Sequence, residues 1–500
     1  MTTGFDDQGS DFASDGLIHQ KIVVAIVYIC SMLMNSIDST IVNVALATLS
    51  RQFNVSAAQI DLVVVSYLVS LAVFIPASGW LGDRFGTKRM FLIALAIFTF
   101  ASAACGLSGT FNELILFRAL QGIGGGILTP VGMAMLYRTF PPKERINVSR
   151  ILMFVTILGP ALGPVIGGLL VEKLSWHWAF YVNIPVGVLA FIFGFIFLHE
   201  NREVAPGGFD LLGFALAGVG FGTFMYAVSE GPAHGWGSTD IQITGVVGIA
   251  LLVAFVFNEI RVREPMMQLR LLGDRLFRTT NIASLFASTA FMGVLFMMPL
   301  FLQEARGFSP LQSGLTTFPE AIGVVMSTQL VARLYPRIGP RRLMAGGLTG
   351  VAIMMGLLWT IDLNSSAWLV RILMFFIGVG MAYVFIPAQV AGFATISRSD
   401  TGQASTLSSV QRRMGGAVGV ALLSTVLALV GPTVVSAGGG VRPNLTAYHV
   451  AFAVAAVLAG LAAISALRIP DEDAAETMRL PARRPVKTET QEAILAVEDD

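Results

Sequence analysis

The chain has 500 residues, of which 55% are hydrophobic and only 13% are charged, and its mean hydropathy is +0.74. Soluble proteins carry about 25% charged residues, so this composition predicts a membrane protein and excludes a soluble enzyme, a disordered scaffold and a secreted disulfide framework. The net charge of +1 gives no indication of nucleic-acid binding, and Cys30 and Cys105 lie in apolar runs, where we expect buried thiols.

The apolar runs, taken in chain order, predict an all-α polytopic protein. A membrane-spanning helix needs about 20 mostly apolar residues, and the runs that satisfy this length number fourteen. Their approximate limits are 22–44, 60–79, 90–107, 112–137, 150–172, 178–199, 209–229, 242–260, 280–302, 312–332, 343–361, 366–394, 414–430 and 447–467.

Basic residues alternate between the predicted loops. The basic clusters lie at 84–89, 138–150, 261–278 and 333–342, whereas the opposite loops hold only Arg51, Lys173, Arg306 and Arg442. Loops rich in Lys and Arg remain in the cytoplasm. With an even number of spans, both termini are expected to be cytoplasmic.

Two features recur at one offset along the chain. Gly86 of a basic loop matches Gly339 (339 − 86 = 253), and the intramembrane Arg118 matches Arg371 (371 − 118 = 253). Repeated halves around a central site are typical of secondary transporters. The predicted segments are a cytoplasmic polar tail at 1–20, a six-helix half at 21–200, two inserted helices with a cytoplasmic linker at 201–278, a second six-helix half at 279–468 and a disordered cytoplasmic tail at 469–500.

The loop after the second predicted span combines glycines with charges. Its glycines allow a tight turn, and Asp83 lies near a helix end, where Arg84 or Arg89 can pair with it. We expect a charged latch that joins two cytoplasmic helix ends in one conformation and releases them in the other. The alternative is an ordinary solvated basic loop. The candidate gating residues are Gly79, Asp83, Arg84, Gly86, Lys88 and Arg89.

The fifth predicted span contains a glycine and proline series. Glycines spaced four residues apart clear one helix face for close packing, and the prolines remove backbone donors and bend the helix. Close packing alone is the alternative explanation for the series. Its members are Gly159, Pro160, Gly163, Pro164, Gly167 and Gly168.

Four ionisable residues, Asp38, Arg118, Glu320 and Arg371, fall inside predicted spans. Each costs about 2.5–3.5 kcal/mol to insert, so such groups face a partner or a cavity. A rise of about 1.5 Å per residue places Asp38 and Arg118 at similar depth. They are the candidate proton-coupling pair, or alternatively a static pair that fixes helix packing.

Glu320 lies near the midplane of its predicted span. A carboxylate there favours cationic substrates, or alternatively is satisfied locally by a backbone or hydroxyl group. Asn35, which lies on one helix face with Asp38, and Gln121 complete the candidate substrate contacts.

Together these motifs resemble the major facilitator superfamily, and within it the 14-span drug:proton antiporters of the EmrB/QacA type. The resemblance rests on segments 38–46, 79–89, 116–124, 159–168 and 175–185, and the chain departs from the family pattern at Ala47, His177, Glu320 and Pro336. It implies the major facilitator fold with two extra central helices, a location in the bacterial cytoplasmic (inner) membrane, and the glycine–proline series as an antiporter motif. The implied activity is multidrug efflux, the export of hydrophobic, cationic drugs by proton antiport with alternating access.

Other classes of function lack their motifs in this sequence. Neither a phosphate-binding G-x-x-x-x-G-K-[ST] loop nor an H-E-x-x-H pair occurs, so we expect no enzyme activity, catalytic residue, metal or cofactor. The expected partners are a lipophilic small molecule, protons and the lipid bilayer, with a periplasmic adaptor and an outer-membrane channel left open. A dedicated exporter of one metabolite, such as an antibiotic or siderophore, and a proton-coupled uptake symporter are the alternatives.

Overall fold

The computed structural model describes residues 8–55, 60, 62–141, 144–146, 148–149, 152, 159, 166–167, 169–200, 208–431, 433–435 and 441–478. Four residues of the predicted glycine–proline series, Pro160, Gly163, Pro164 and Gly168, lie outside the described residues.

The described chain is almost entirely helical. The N-terminal half contains α1 (Gln8–Phe53), α2 (Leu62–Phe85), α3 (Thr87–Leu107), α4 (Phe111–Thr139), α5 (Trp178–Tyr181) and α6 (Asn183–Phe197). The inserted pair is α7 (Leu211–His234) and α8 (Thr239–Arg261). The C-terminal half contains α9 (Arg275–Leu300), α10 (Pro310–Thr317), α11 (Pro319–Ile338), α12 (Pro340–Leu357), α13 (Ala367–Gly392), α14 (Thr401–Val430), α15 (Leu445–Ala466) and α16 (Ala475–Met478).

Shorter elements join these helices. Turns of 3₁₀ helix occupy Leu269–Gly273, Leu358–Thr360 and Glu472–Ala474, and a π-helical turn, Phe301–Ala305, extends α9. Strands β1 (Thr433–Val435) and β2 (Val441–Pro443) pair antiparallel, with Val434 opposite Arg442, in the connection between α14 and α15.

Twelve helical segments among the described residues are long and apolar enough to cross a membrane. The fifth predicted span, 150–172, lies mostly outside the described residues. The tenth is occupied by α10 and α11, and α11 contains Glu320, Arg333 and Arg337 within its 20 residues. The protein is therefore an all-helical membrane protein with twelve candidate spans in its described part, and the two further spans remain a proposal.

The helices pack as two bundles that meet through a few elements. In the N-terminal half, α4 packs against α2 and α3, and α6 packs against α1 and α3; in the C-terminal half, α9 packs against α14 and α15, and α13 packs against α11 and α12. Helix α14 crosses to contact α2 and α4 of the other half. Helix α7 packs against both α2 and α14, so it lies beside the line along which the two bundles meet.

The internal repeat is visible in the backbone. Gly86 between α2 and α3 has a φ of 95°, and Gly339 between α11 and α12 has a φ of 81°. Residues other than glycine rarely adopt a backbone conformation in this left-handed region. The two turns predicted to be equivalent by the offset of 253 residues therefore share one backbone conformation.

Two helices differ in length from their predicted spans. Helix α1 begins at Gln8, inside the segment assigned to a polar tail, and continues to Phe53. Helix α14 begins at Thr401 rather than at residue 414. Its first turns are polar but buried, with Thr401, Gln403 and Ser405 almost fully covered by other helices. Hydropathy does not detect such a segment because protein, not lipid, surrounds it.

The start of the C-terminal tail is folded against the C-terminal half. Ile469, Ala474 and Thr477 are buried, and Thr477 shares a 2.7 Å hydrogen bond with Tyr335 of α11. The expectation of disorder is therefore wrong for residues 469–478, because these side chains find partners on the bundle, while residues 479–500 lie outside the described chain.

Candidate functional site

Asp38 of α1 and Arg118 of α4 form a buried ion pair. Arg118 Nη1 donates to Asp38 Oδ2 at 2.8 Å, and the two side chains are 1% and 0% exposed. A capping box positions Arg118, because Thr110 and Glu113 exchange side-chain and backbone hydrogen bonds at the start of α4. The guanidinium also donates to the Val63 carbonyl at 3.1 Å and lies 4.3 Å from the Tyr67 ring centre. Residue counts predict that Asp38 and Arg118 lie at similar depth, and the structure shows them in direct contact.

Three neutral side chains complete this network. Gln121 and Asn183 each donate an amide hydrogen bond to Asp38 Oδ1 at 2.8 Å, and Gln121 accepts from Arg118 at 2.7 Å. Ser102 of α3 accepts from both amides, at 3.2 Å from Gln121 and 3.0 Å from Asn183. Asp38 therefore receives three donors from α4 and α6, which we call the Asp38 network (Asp38, Ser102, Arg118, Gln121, Asn183). Sequence reasoning did not assign Ser102 or Asn183, although Asn183 lies in the 175–185 segment.

Asn35 lies one turn from Asp38 and is also buried. Its Oδ1 accepts from the Tyr67 hydroxyl at 2.8 Å, while its Nδ2 has no hydrogen-bond partner among the described residues. A buried amide donor without a partner costs stability. The Asn35 amide therefore has an unused donor among the described residues, and its role as a substrate contact stays a prediction.

Near the turn between α2 and α3, the structure pairs Asp83 with Arg138. Arg138 Nη2 donates to Asp83 Oδ1 at 2.6 Å, and both side chains are largely buried. The sequence predicts Arg84 or Arg89 as the partner of Asp83. The partner shown by the structure is instead Arg138, 55 residues away at the end of α4, because the folded chain brings that helix end against the loop.

The C-terminal end of α4 and the loop that follows it also contact the C-terminal half. Arg398 Nη2 donates to the Arg138 carbonyl at 2.7 Å, and Arg145 Nη1 donates to the Phe393 carbonyl at 2.8 Å. Burial lowers the pKa of the Arg145 guanidinium. We call Asp83, Arg138, Arg145 and Arg398 the cytoplasmic latch, after the side on which the basic loops are predicted to lie. It joins the two halves.

Glycines bring α2 and α14 together beside this latch. A Cβ at Gly79 would lie 2.7 Å from Thr406 Oγ1, and one at Gly402 would lie 2.7 Å from Asp83 Oδ1. Ser78 and Thr406 share a 3.1 Å hydrogen bond across the same contact. Asp83 therefore lies at the N-terminus of α14, where the helix dipole favours a negative charge.

The remaining candidate gating residues surround the turn at Gly86. Glu200, after α6, accepts from the backbone N–H groups of Lys88 at 3.0 Å and Arg89 at 3.1 Å. A Cβ at Gly86 would lie 2.5 Å from the same carboxyl group. Glu200 thus caps α3, a role that the sequence analysis did not assign. In the second repeat, Asp471 caps α12 through the Arg341 N–H at 2.8 Å.

Two described glycines of the glycine–proline series pack against α1. A Cβ at Gly159 would collide with Ser36, and one at Gly167 would lie 2.7 Å from Ile41 Cγ1. These contacts fit the close-packing interpretation. They also place the segment next to the helix that carries Asp38.

Glu320 and Arg371 lie away from the Asp38 network. Glu320 is 9% exposed in the first turn of α11, and its backbone packs against Gly378 of α13. Arg371 lies 4.7 Å from the Trp368 ring centre rather than beside an acid.

A small cavity of about 40 Å³ lies between α4 and the helices α9, α13 and α14. Polar side chains, among them Asn281 and Gln389, line it together with Phe385 and Arg412. A larger groove between α12 and α15 is lined almost entirely by small and apolar residues, and no charged residue lines it. Within the described ranges, His, Cys, Asp and Glu side chains form no group of three or more that could hold a metal ion.

The chain matches the family model described as Major Facilitator Superfamily over residues 25–420. It is 32% identical over 406 residues to a Mycobacterium tuberculosis protein named multidrug resistance protein B homolog, covering 80% of this chain and 75% of that protein. It is 33% identical over 421 residues to the Escherichia coli protein MdtD, named as a multidrug resistance protein, covering 83% and 88%.

Two solved structures share the fold at 14% sequence identity. The human organic anion transporter MFSD10 superposes with a TM-score of 0.65, covering 90% of this chain and 99% of that one. The proton:xylose symporter XylE, bound to 6-bromo-6-deoxy-D-glucose, also superposes with a TM-score of 0.65, covering 92% and 98%. With a family model that spans most of its length and relatives above 30% identity, the chain belongs to the Major Facilitator Superfamily of membrane transporters.

Proposed function

We propose that this protein exports hydrophobic drug-like compounds, cations among them, across the bacterial cytoplasmic membrane by proton antiport with alternating access. Relatives named for multidrug resistance support the export of drugs. Fourteen spans and cytoplasmic termini belong to the same proposal. The observation that carries the coupling is the Asp38 network, a carboxylate with 0% exposure that receives three hydrogen bonds.

Protonation of Asp38 changes what this network holds together. The ionised carboxylate attracts Arg118 and accepts from both amides, whereas a protonated one loses the ionic attraction. Because the donors lie on α4 and α6 and Asp38 lies on α1, the charge state of one residue biases how three helices pack. A ligand or proton shifts a conformational equilibrium only through such differential interactions.

The cytoplasmic latch supplies the second half of the cycle. In this conformation it ties α4 to residues that follow α13, and it brings α14 against α2. We propose that these contacts break when the transporter opens toward the cytoplasm to load substrate, and form again after loading. Proton binding at Asp38 from the outside and release to the inside then drives one direction of the cycle.

Transport by Asp38→Asn in inside-out membrane vesicles tests the proposal. Wild-type vesicles with an acidified lumen should accumulate ethidium, a lipophilic cation. Asp38→Asn keeps the side-chain shape but cannot ionise, so gradient-driven accumulation should fall to the background of empty vesicles, while ethidium exchange without a gradient persists. Asp362→Asn, which removes an exposed acid, is the matched control. Gradient-driven accumulation at wild-type rates in Asp38→Asn vesicles would overturn the coupling role.

A further inference from the structure

An arginine deep in the protein faces the cavity between the two halves. Arg412 lies eleven residues after Thr401, the first residue of α14 (412 − 401 = 11), and lines the cavity. At about 1.5 Å per residue this is about 16 Å from the cytoplasmic helix end, near the bilayer midplane. The apolar run that predicts this span begins at residue 414, so the sequence places Arg412 in a cytoplasmic loop.

The charge of Arg412 is not balanced by an acid in the described part of the chain. Arg118 and Arg138 both pair with a carboxylate, whereas Arg412 has no hydrogen bond or ion pair with a described residue. The groups that interact with it electrostatically are Tyr28, Tyr137 and a second cation, Arg413. The other residues that line the cavity are all uncharged. The cavity therefore carries a net positive charge.

A second polar group on the cavity wall also lacks a partner. Ser288 of α9 is 1% exposed, and its hydroxyl makes no hydrogen bond with the described residues. Nearby, Ser408 donates to Asn281 Oδ1 at 3.1 Å, so the surrounding polar groups are held in place. A buried hydroxyl that can donate and a guanidinium with five donors match the oxygen atoms of a carboxylate.

The same cavity also has an apolar side, formed by Met133, Phe385 and Phe393. Because Arg412 and this apolar side line one cavity, we propose that the cavity, once the two halves move apart and enlarge it, binds organic acids. Arg412 then receives the carboxylate, and the apolar side receives the hydrophobic body. The inference rests on the proposed function and names one class of its substrates. Glu320 lines no part of this cavity. A preference for cations at Glu320 is therefore independent of a preference for acids at Arg412.

Two dyes that differ only at one carboxyl group test the proposal. Rhodamine B has a free carboxylate, and its ethyl ester does not. Binding of each dye to the detergent-solubilised full chain is measured by fluorescence polarisation against a micelle blank. Arg412→Gln should weaken rhodamine B binding about 10- to 100-fold, as expected for loss of a charge-assisted hydrogen bond. It should not weaken binding of the ester, which is a net cation. Arg412→Lys should retain most of the affinity.

The control is Arg371→Gln, which removes an arginine that lies against Trp368 outside the cavity. It should leave the binding of both dyes unchanged. Rhodamine B that binds the wild type no more tightly than Arg412→Gln overturns the proposal, as does an equal loss for the acid and the ester. Binding needs no proton gradient, so a failure here is distinguishable from a failure of proton-driven efflux in the Asp38 experiment.

Discussion

The strongest test of alternating access is to weaken the cytoplasmic latch at Asp83. Asp83→Asn keeps the shape of the side chain but removes its charge, which leaves Arg138 buried beside a neutral amide. A hydrogen bond to a charged group contributes about 1.5–3 kcal/mol, and an acid at a helix N-terminus adds about 0.3–1 kcal/mol. The closed state should therefore lose about 2–4 kcal/mol, which corresponds to a shift of roughly 30- to 900-fold toward the open state.

The reporter for this shift is a cysteine placed behind the latch. Ser405 of α14 has 0% exposure and a hydroxyl without a described partner, so Ser405→Cys changes little in the closed protein. In inside-out vesicles, after Cys30 and Cys105 have been replaced, N-ethylmaleimide reaches position 405 only when the cytoplasmic side opens. Asp83→Asn should raise the modification rate by the factor given above and should abolish transport, while the amount of inserted protein stays the same.

The matched control removes an acid from the same face without touching the latch. Glu472→Gln, at an exposed position before α16, should leave both the modification rate and transport at wild-type values. If Asp83→Asn loses transport but position 405 reacts at the wild-type rate, the latch does not hold the cytoplasmic side closed. If transport is also normal, the segment is an ordinary basic loop.

Three further results are expected. Glu320→Gln should weaken efflux of cationic dyes more than that of neutral drugs, because a carboxylate stabilises a cation strongly once water is excluded; an equal loss would indicate a structural role. A cysteine at Gly237, where the structure leaves open space, should react with an impermeant maleimide from outside the cell, and one at Gln268 only after permeabilisation; the reverse would overturn the orientation. Glu200→Gln should lower the thermal unfolding midpoint by about 1–2 °C, because a charged cap at the N-terminus of α3 is lost; an unchanged midpoint would contradict the capping role.

Counting residues along the chain is sufficient for the features that the sequence predicts correctly. Counting residues from the helix ends places Asp38 and Arg118 at one depth, and the structure joins them at 2.8 Å. The offset of 253 residues predicts equivalent turns, and Gly86 and Gly339 share a left-handed conformation. Depth and repeat spacing depend only on the rise of a helix and on chain length, so both can be read without knowing which helices touch.

Contacts between segments that are distant in the sequence cannot be predicted in this way. Arg138 reaches Asp83, and Asn183 reaches Asp38, across 55 and 145 residues. Nothing in the order of residues selects these partners over nearer charges such as Arg84. Arg412 is missed for another reason, because hydropathy reports contact with lipid, whereas the first turns of α14 are polar and covered by protein.

The position of α7 has a consequence for how molecules dissolved in the bilayer approach the transporter. Gly218 and Gly222 let α7 lie close to Val73 and Val69 of α2, while Trp236, just beyond its end, donates to Thr425 of α14 at 2.7 Å. Helix α7 thus covers the contact between α2 and α14 and separates it from the lipid tails. If the protein takes up lipophilic compounds sideways from the membrane, we expect this flank to be closed to them.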